Sequence, residues 1–275
     1  MFATIGHTIE LMKMSWGVLR KDRELVAFPI LAGLALVLTL GMFALAATAT
    51  GTLDRMDESS GESTTAIDWL LGAALYIAAS FIVIFFNAAL IAAAMERLRG
   101  GDPSVRSGLR VAATHLPQIA GWALIAGTVG LLLQMLRDRS DGIVGRIAIA
   151  LVGGAWAYMT FFVVPLLVAE GLGPIAAIRR SSGLLRETWG RQAAASFGFG
   201  LVYVLAVLAA GVPAALAFAL HPVLGVLVAV PLFAIAVGTV QALEGIFKAA
   251  LFAFARGETP SGFEPSTLST AYRAL

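Results

Sequence analysis

The stretch FFNAALIAAAMERLRGGDPSVRSGLR, residues 85–110, decides how this chain is read. An apolar run ends at Met95, and Glu96, Arg97 and Arg99 follow at once. Gly100 and Gly101 then break the helical pattern, and Pro103 opens a short segment whose arginines, Arg106 and Arg110, fall four residues apart on one helical face. This is the pattern of a helix leaving lipid, turning among cations that favour the headgroup region, and restarting along the membrane surface.

The rest of the composition agrees. Of 275 residues, 59% are hydrophobic and 13% charged, and the mean hydropathy of +0.88 is far above that of a water-soluble domain. The formal net charge is only +2, so the chain lacks the basic surplus expected of a nucleic-acid binder, and nucleic acid is not an expected partner. The absence of cysteine excludes disulfides and thiolate chemistry.

Six uncharged apolar runs are expected to span as helices: Leu25 to Ala47, Trp69 to Met95, Ile119 to Leu136, Ile147 to Ala169, Ala193 to Leu220, and Val223 to Leu243. His221-Pro222 divides the last two and predicts a tight hairpin, because proline cannot continue a helix through its own position. The first run is expected to be retained and not cleaved as a signal peptide, since it is long enough to span and follows an amphipathic segment. With six spans, one side collects Lys13, Arg20, Lys21, Arg23, Arg97, Arg99, Arg106, Arg110, Arg179, Arg180, Arg186, Arg191, Lys248, Arg256 and Arg273. The other retains only Arg55, Arg137, Arg139 and Arg146 of the 19 basic residues. The positive-inside rule then predicts an inner-membrane protein with both termini in the cytoplasm.

The opening stretch recurs. Phe86-Asn87-Ala88-Ala89-Leu90 is echoed by Phe247-Lys248-Ala249-Ala250-Leu251, and more loosely by Phe162-Val163-Val164-Pro165-Leu166. Amphipathic segments at 3–20, 103–115 and 174–188 precede the odd-numbered spans, and Pro103 and Pro174 are expected at first helical positions. The expected fold is therefore all-α: three transmembrane hairpins, each preceded by an interfacial helix, in repeats of about 3–99, 100–172 and 173–256. Residues 257–275 are expected as a flexible cytoplasmic tail. Ala126 with Gly130, Gly153 with Ala157, Ser196 with Gly200, and Ala234 with Gly238 offer places for close helix contact.

Aligning the repeats implies that the sixth helix runs on to about Arg256. Glu244 and Lys248 then share one helical face in the favourable order for an ion pair. If they lie within the bilayer they mark a polar site, together with Asn87, Gln134 and Gln241; if the helix leaves lipid near Leu243, both are wet. Trp16, Arg20, Lys21, Arg106, Arg110, Arg179, Arg180 and Trp189 are the expected lipid-headgroup contacts.

No constellation points to catalysis, and no metal or cofactor is expected. His7 and His115 fall on one predicted side and His221 on the other. Ser181-Ser182-Gly183 lacks a nucleophile-elbow context, no phosphate-binding glycine fingerprint occurs, and Glu96 and Glu170 read as partners for nearby arginines.

The runs SWGVLRKDRELVAFP (15–29), FFNAALIAAAMERLRGGDPSVRSGL (85–109), WAYMTFFVVPLLVAEGLGPIAAIRRS (156–181) and TWGR (188–191) resemble an uncharacterised prokaryotic six-span membrane family, a domain of unknown function. The resemblance covers residues 5–256. More distantly the chain is similar to the membrane domain fused to some bacterial glycerophosphodiester phosphodiesterases, but it carries no catalytic domain of that kind, so no such activity follows.

The expected function is that of a non-catalytic accessory or organising subunit that binds lipid or a membrane partner, including further copies of itself. The alternative is a transporter or channel with a polar path near Asn87, Glu244 and Lys248. A sealed apolar centre in the space enclosed by the three hairpins would count against transport, and a polar cavity containing Lys248 would count against the organising reading.

Overall fold

The computed structural model describes residues 2–56, 65–139, 142–189 and 199–269; the side chains of residues 2–11, 189, 199–201, 265 and 267 fall outside the description. The described chain is helical throughout, and its elements are α1 (Phe2–Lys21), a 3-10 turn (Arg23–Val26), α2 (Ala27–Ala49), α3 (Thr52–Met56), α4 (Ala66–Leu98), α5 (Val105–Thr114), α6 (Leu116–Asp138), α7 (Ile143–Thr160), α8 (Val163–Glu170), α9 (Pro174–Trp189), α10 (Phe199–Leu220), α11 (Pro222–Ala255) and α12 (Pro265–Ser269).

Six helical stretches are long and apolar enough to cross a membrane: Arg23–Ala49, Ala66–Leu98, Leu116–Asp138, Ile143–Glu170, Val202–Leu220 and Pro222–Ala255. They coincide with the six expected runs, except that residues 193–198 of the fifth lie outside the described residues. The sixth helix runs to Ala255, with Arg256 as its C-cap, the extent that alignment with residues 85–97 implied. At a rise of 1.5 Å per residue it is roughly 50 Å long, well beyond the 30 Å or so of hydrocarbon.

Local chemistry sets the breaks. His221 is extended at the N-cap of α11 and accepts a hydrogen bond from Val223 N–H at 3.2 Å, with Pro222 next, where a missing N–H costs nothing. Phe218 lies so close to Gly225 that a Cβ there would meet its ring at 2.2 Å. The fourth span is two helices. Pro165 cannot donate to the carbonyl four residues back, the ladder opens at Phe161 and Phe162, and the freed Phe162 N–H donates to the buried Ser181 hydroxyl at 2.9 Å. Pro174 begins α9 as expected, whereas Pro103 stands outside α5. There Ser104 is the N-cap; its hydroxyl accepts from Ser107 N–H while the Ser107 hydroxyl accepts from Ser104 N–H, both at 3.0 Å. This reciprocal cap satisfies the first amides of α5 without proline.

The buried core lies at the arginine-rich end of the bundle. Ala88–Met95 and Leu98 of α4, five residues of α8, and most of the stretch from Gly238 to Ala253 of α11 are buried, with Phe162, Phe252, Leu166, Ile246 and Leu251 among the largest fully enclosed side chains. Small residues permit this closeness. A Cβ on Gly245 would stand 2.6 Å from Leu90, and one on Gly108 would stand 2.7 Å from the Ala89 carbonyl. Of the expected small-residue contacts, Gly238 faces Pro29 and Gly130 faces Tyr76, while Gly153 meets nothing; Ser196 lies outside the described residues.

Around this core α1 packs on α11, α5 on α4, and α9 on both α7 and α8, while α2 packs on α4 and α11, α6 on α4, and α10 on α11. Arg97, at the exit of α4, forms a bidentate ion pair with the buried Asp22 before the first span, and also bonds the Gly101 carbonyl at 3.0 Å. At the exit of α11, Arg256 pairs with Glu170 at 3.3 Å. Expected as a flexible tail, residues 257–269 instead pack back on the bundle. Ser261 N–H donates to the Leu98 carbonyl at 2.9 Å, Arg99 pairs with Glu258 at 3.2 Å, and Phe263 and Leu268 are buried. Two apolar side chains five residues apart, a backbone hydrogen bond and an ion pair together hold this short segment against the end of the core. At the opposite end Arg55 pairs with Asp68 at 2.6 Å, and Asp68 also caps α4 by accepting from Thr65 N–H at 2.6 Å.

Candidate functional site

A lateral cavity of about 550 Å³ is walled by α2, α4, α10 and α11. Its walls change character along its length. Leu34, Val37, Val83, Val230 and Phe233 line it with hydrocarbon, whereas Asn87, Tyr203, Gln241, Glu244 and Lys248 bring polar atoms to it. Gly33 and Gly238 widen it, and a Cβ on Gly33 would meet nothing within 4 Å.

The polar end is built from one turn of α11 and one residue of α10. Glu244 Oε1 lies 2.7 Å from Lys248 Nζ, a pair that the i, i+4 spacing on a helix brings together. The other carboxylate oxygen, Oε2, accepts from the Tyr203 hydroxyl at 3.0 Å. Lys248 Nζ also stands 5.7 Å from the centre of the Phe161 ring, within cation–π range. The carboxylate thus has a cation on one oxygen and a phenol on the other, while the ammonium keeps hydrogens to donate. Both charged side chains remain about a quarter exposed, Lys248 at 23% and Glu244 at 29%. Such a cluster can hold a polar group of either sign without being dismantled.

Of the expected polar site, Asn87, Gln241, Glu244 and Lys248 meet around this cavity, and Gln134 does not; it is exposed on α6. Tyr203 is the residue that spacing and charge overlooked. A tyrosine in an apolar run needs a partner for its hydroxyl, and that need was the available signal. Trp16, Arg20, Lys21, Arg106, Arg110, Arg179 and Arg180 are exposed at the arginine-rich end, while the side chain of Trp189 lies outside the described residues. Glu170 pairs with Arg256 as expected of it, whereas Glu96 accepts from the Ser107 hydroxyl at 3.0 Å. No group of three or more His, Asp or Glu placed to hold a metal ion occurs among the described residues.

Six spanning helices closed over an apolar core, with a side cavity polar at one end, define a multi-pass membrane protein of the all-helical class. Residues 66–263 match the family described as a family of unknown function (DUF6159). The match covers well over half of the chain, and the chain belongs to that family. No curated protein and no solved structure matches, so the distant similarity expected to the membrane domain of glycerophosphodiester phosphodiesterases has no support.

Proposed function

We propose that this is a non-catalytic inner-membrane protein that holds a lipid in the lateral cavity and acts as an accessory or organising subunit for its membrane. One observation carries the reading: the cavity is apolar along most of its walls and polar at one end, where Tyr203, Glu244 and Lys248 converge. That is the profile of an amphiphile, with chains among the leucines and valines and a headgroup against the ion pair. Entry from the side suits a molecule already dissolved in the bilayer. Lipid is then the partner, and nucleic acid is not.

Within this reading both termini are cytoplasmic, since the arginine-rich end carries most of the basic residues. The threefold repeat also belongs to it. Each helix that precedes an odd span packs on the even span of the hairpin before it, α5 on α4 and α9 on α7 and α8, with α1 on α11 completing the cycle. The leucines that end the three echoed segments, Leu90, Leu166 and Leu251, are all buried in one core. These helices then serve as interfacial collars, with the exposed Trp16, Arg20, Lys21, Arg106, Arg110, Arg179 and Arg180 toward headgroups.

A transporter is the second reading, favoured by the ion pair and phenol at the polar end of a cavity that contains Lys248, the feature that counts against a simple organising role. The apolar centre formed by α4, α8 and α11 counts against a path along the bundle axis.

The test is lipid retention, measured by native mass spectrometry on protein extracted together with its lipid annulus. Gly33→Phe, which fills open space in the cavity, and Lys248→Ala, which removes its cation, are expected to lose bound lipid several-fold, while Leu45→Ala on the outer surface retains it. Equal retention by all three would sink the lipid-binding reading, and substrate flux in proteoliposomes abolished by Lys248→Ala would replace it with transport.

A further inference from the structure

A second cavity lies at the arginine-rich end, apart from the lateral one, and shares no residue with it. Its volume is about 440 Å³, and it is lined by Lys13, Met14, Gly17, Val18 and Lys21 of α1, by Arg97 at the exit of α4, and by Ser261, Gly262 and Glu264 of the returning C-terminal segment. Lys13, Gly17 and Lys21 recur every four residues and so share one face of α1, the two lysines about 12 Å apart along the axis. Between them Gly17 leaves a notch, where an added Cβ would meet nothing within 4 Å.

The cations on this lining are in different states. Arg97 is occupied, bound bidentately to Asp22, to the Gly101 carbonyl at 3.0 Å and to Asp102 at 3.5 Å. Lys13 and Lys21 are exposed, and neither has an ion pair among the described residues. Opposite them Glu264 contributes a carboxylate, and Gly262, at φ +86°, turns the segment so that a Cβ there would lie 3.4 Å from Val18. Two ammonium groups with no ion pair among the described residues thus flank an uncovered stretch of helix inside a walled basin that a headgroup-sized anion would fit.

We propose that this basin binds a phosphate group, held by Lys13 and Lys21 across the Gly17 notch, with the C-terminal segment as its far wall. Each ammonium donates charge-assisted hydrogen bonds to phosphate oxygens. The Glu264 carboxylate repels a phosphate, and the two ammonium groups outweigh it. The phosphate could belong to a lipid headgroup or to a soluble phosphate ester, and the experiment separates the two. Because the wall is the returned segment, an occupied basin also favours the docked form of residues 257–269 by mass action.

The full-length protein in an uncharged detergent is titrated by calorimetry with dihexanoyl phosphatidylglycerol, with glycerol phosphate, and with dihexanoylglycerol, which lacks the phosphate. Saturable binding of the first but not the third is expected, weakened about tenfold or more in the Lys13→Gln, Lys21→Gln double variant. An Arg137→Gln, Arg139→Gln double variant, which removes exposed charge at the opposite end, should bind within about twofold of the parent. Both lysines are exposed, so folding of the variant is not at issue. If glycerol phosphate binds as tightly as the lipid, the ligand is a soluble ester; if it binds far more weakly, the ligand is a headgroup. Binding of dihexanoylglycerol equal to that of phosphatidylglycerol, or equal losses in the two double variants, would overturn the proposal. The titrations are made on Gly33→Phe protein, in which the lateral cavity is filled, so failure here and failure of the lateral cavity are separable.

Discussion

The two ends of the bundle are made from the same helices and behave as different materials. Toward the arginine-rich end α4 buries an unbroken run from Ala88 to Met95; toward the other, Trp69 and Leu70 are 67% and 68% exposed. The third and fourth spans repeat the contrast, since α8 buries five of its eight residues and α7 buries none. Only Phe28 and Ala32 of α2 are buried, although the helix continues to Ala49. The residues explain the difference. At the packed end Gly108 and Gly245 lie where a methyl would meet the Ala89 carbonyl and Leu90, and Arg97–Asp22 and Arg256–Glu170 pair across elements, whereas the open end carries exposed leucine, valine and isoleucine. In lipid no hydrophobic penalty drives those outward side chains together, so shape and polar pairing decide where helices close.

That contrast can be broken at the packed end. Removing Arg97 leaves Asp22 buried with no cation, and Arg97→Ala should cost about 3 kcal/mol or more, read as a lowered midpoint in thermal or detergent-induced unfolding. A loss under about 1 kcal/mol would mean that the Arg97–Asp22 pair does not organise that end. Next in size is Gly108→Ala. The added methyl would press on Phe28 and on the rigid Ala89 carbonyl, for an expected loss of about 1–3 kcal/mol; unchanged stability would show that α4 and α5 are free to separate. The smallest effect is expected at the other end. Leu38→Ala, at a position 70% exposed, should change stability by no more than about 0.5 kcal/mol. A loss as large as that of Gly108→Ala would reveal a protein partner on that surface and end the distinction between the two regions.

The spans were legible because crossing lipid demands length and apolarity, both written directly in composition. The His221-Pro222 hairpin and the Glu244–Lys248 pair were legible because each rests on a local spacing. The same apolarity hid the contrast described above: a leucine facing lipid and a leucine facing protein satisfy the same solvent rule, so Leu38 and Leu90 look alike in sequence. Contacts between distant segments were hidden for a different reason. Nothing near Arg97 identifies Asp22 as its partner, and nothing near Glu244 identifies Tyr203. Gln134 shows the converse, a polar residue in an apolar run that the fold leaves outside the cavity. The returned tail was missed because a short polar segment reads as free, and the two buried side chains that hold it, Phe263 and Leu268, form no periodic pattern.

The packing of α1 against α11, with Phe263 and Gly262 folded back beside Val18, has a meaning in time as well as in space. Helix α1 is made before α11 and meets that partner only once α11 has followed it. Until then α1 waits without α11 against it, and closure of the bundle depends on a segment made after the other five spans.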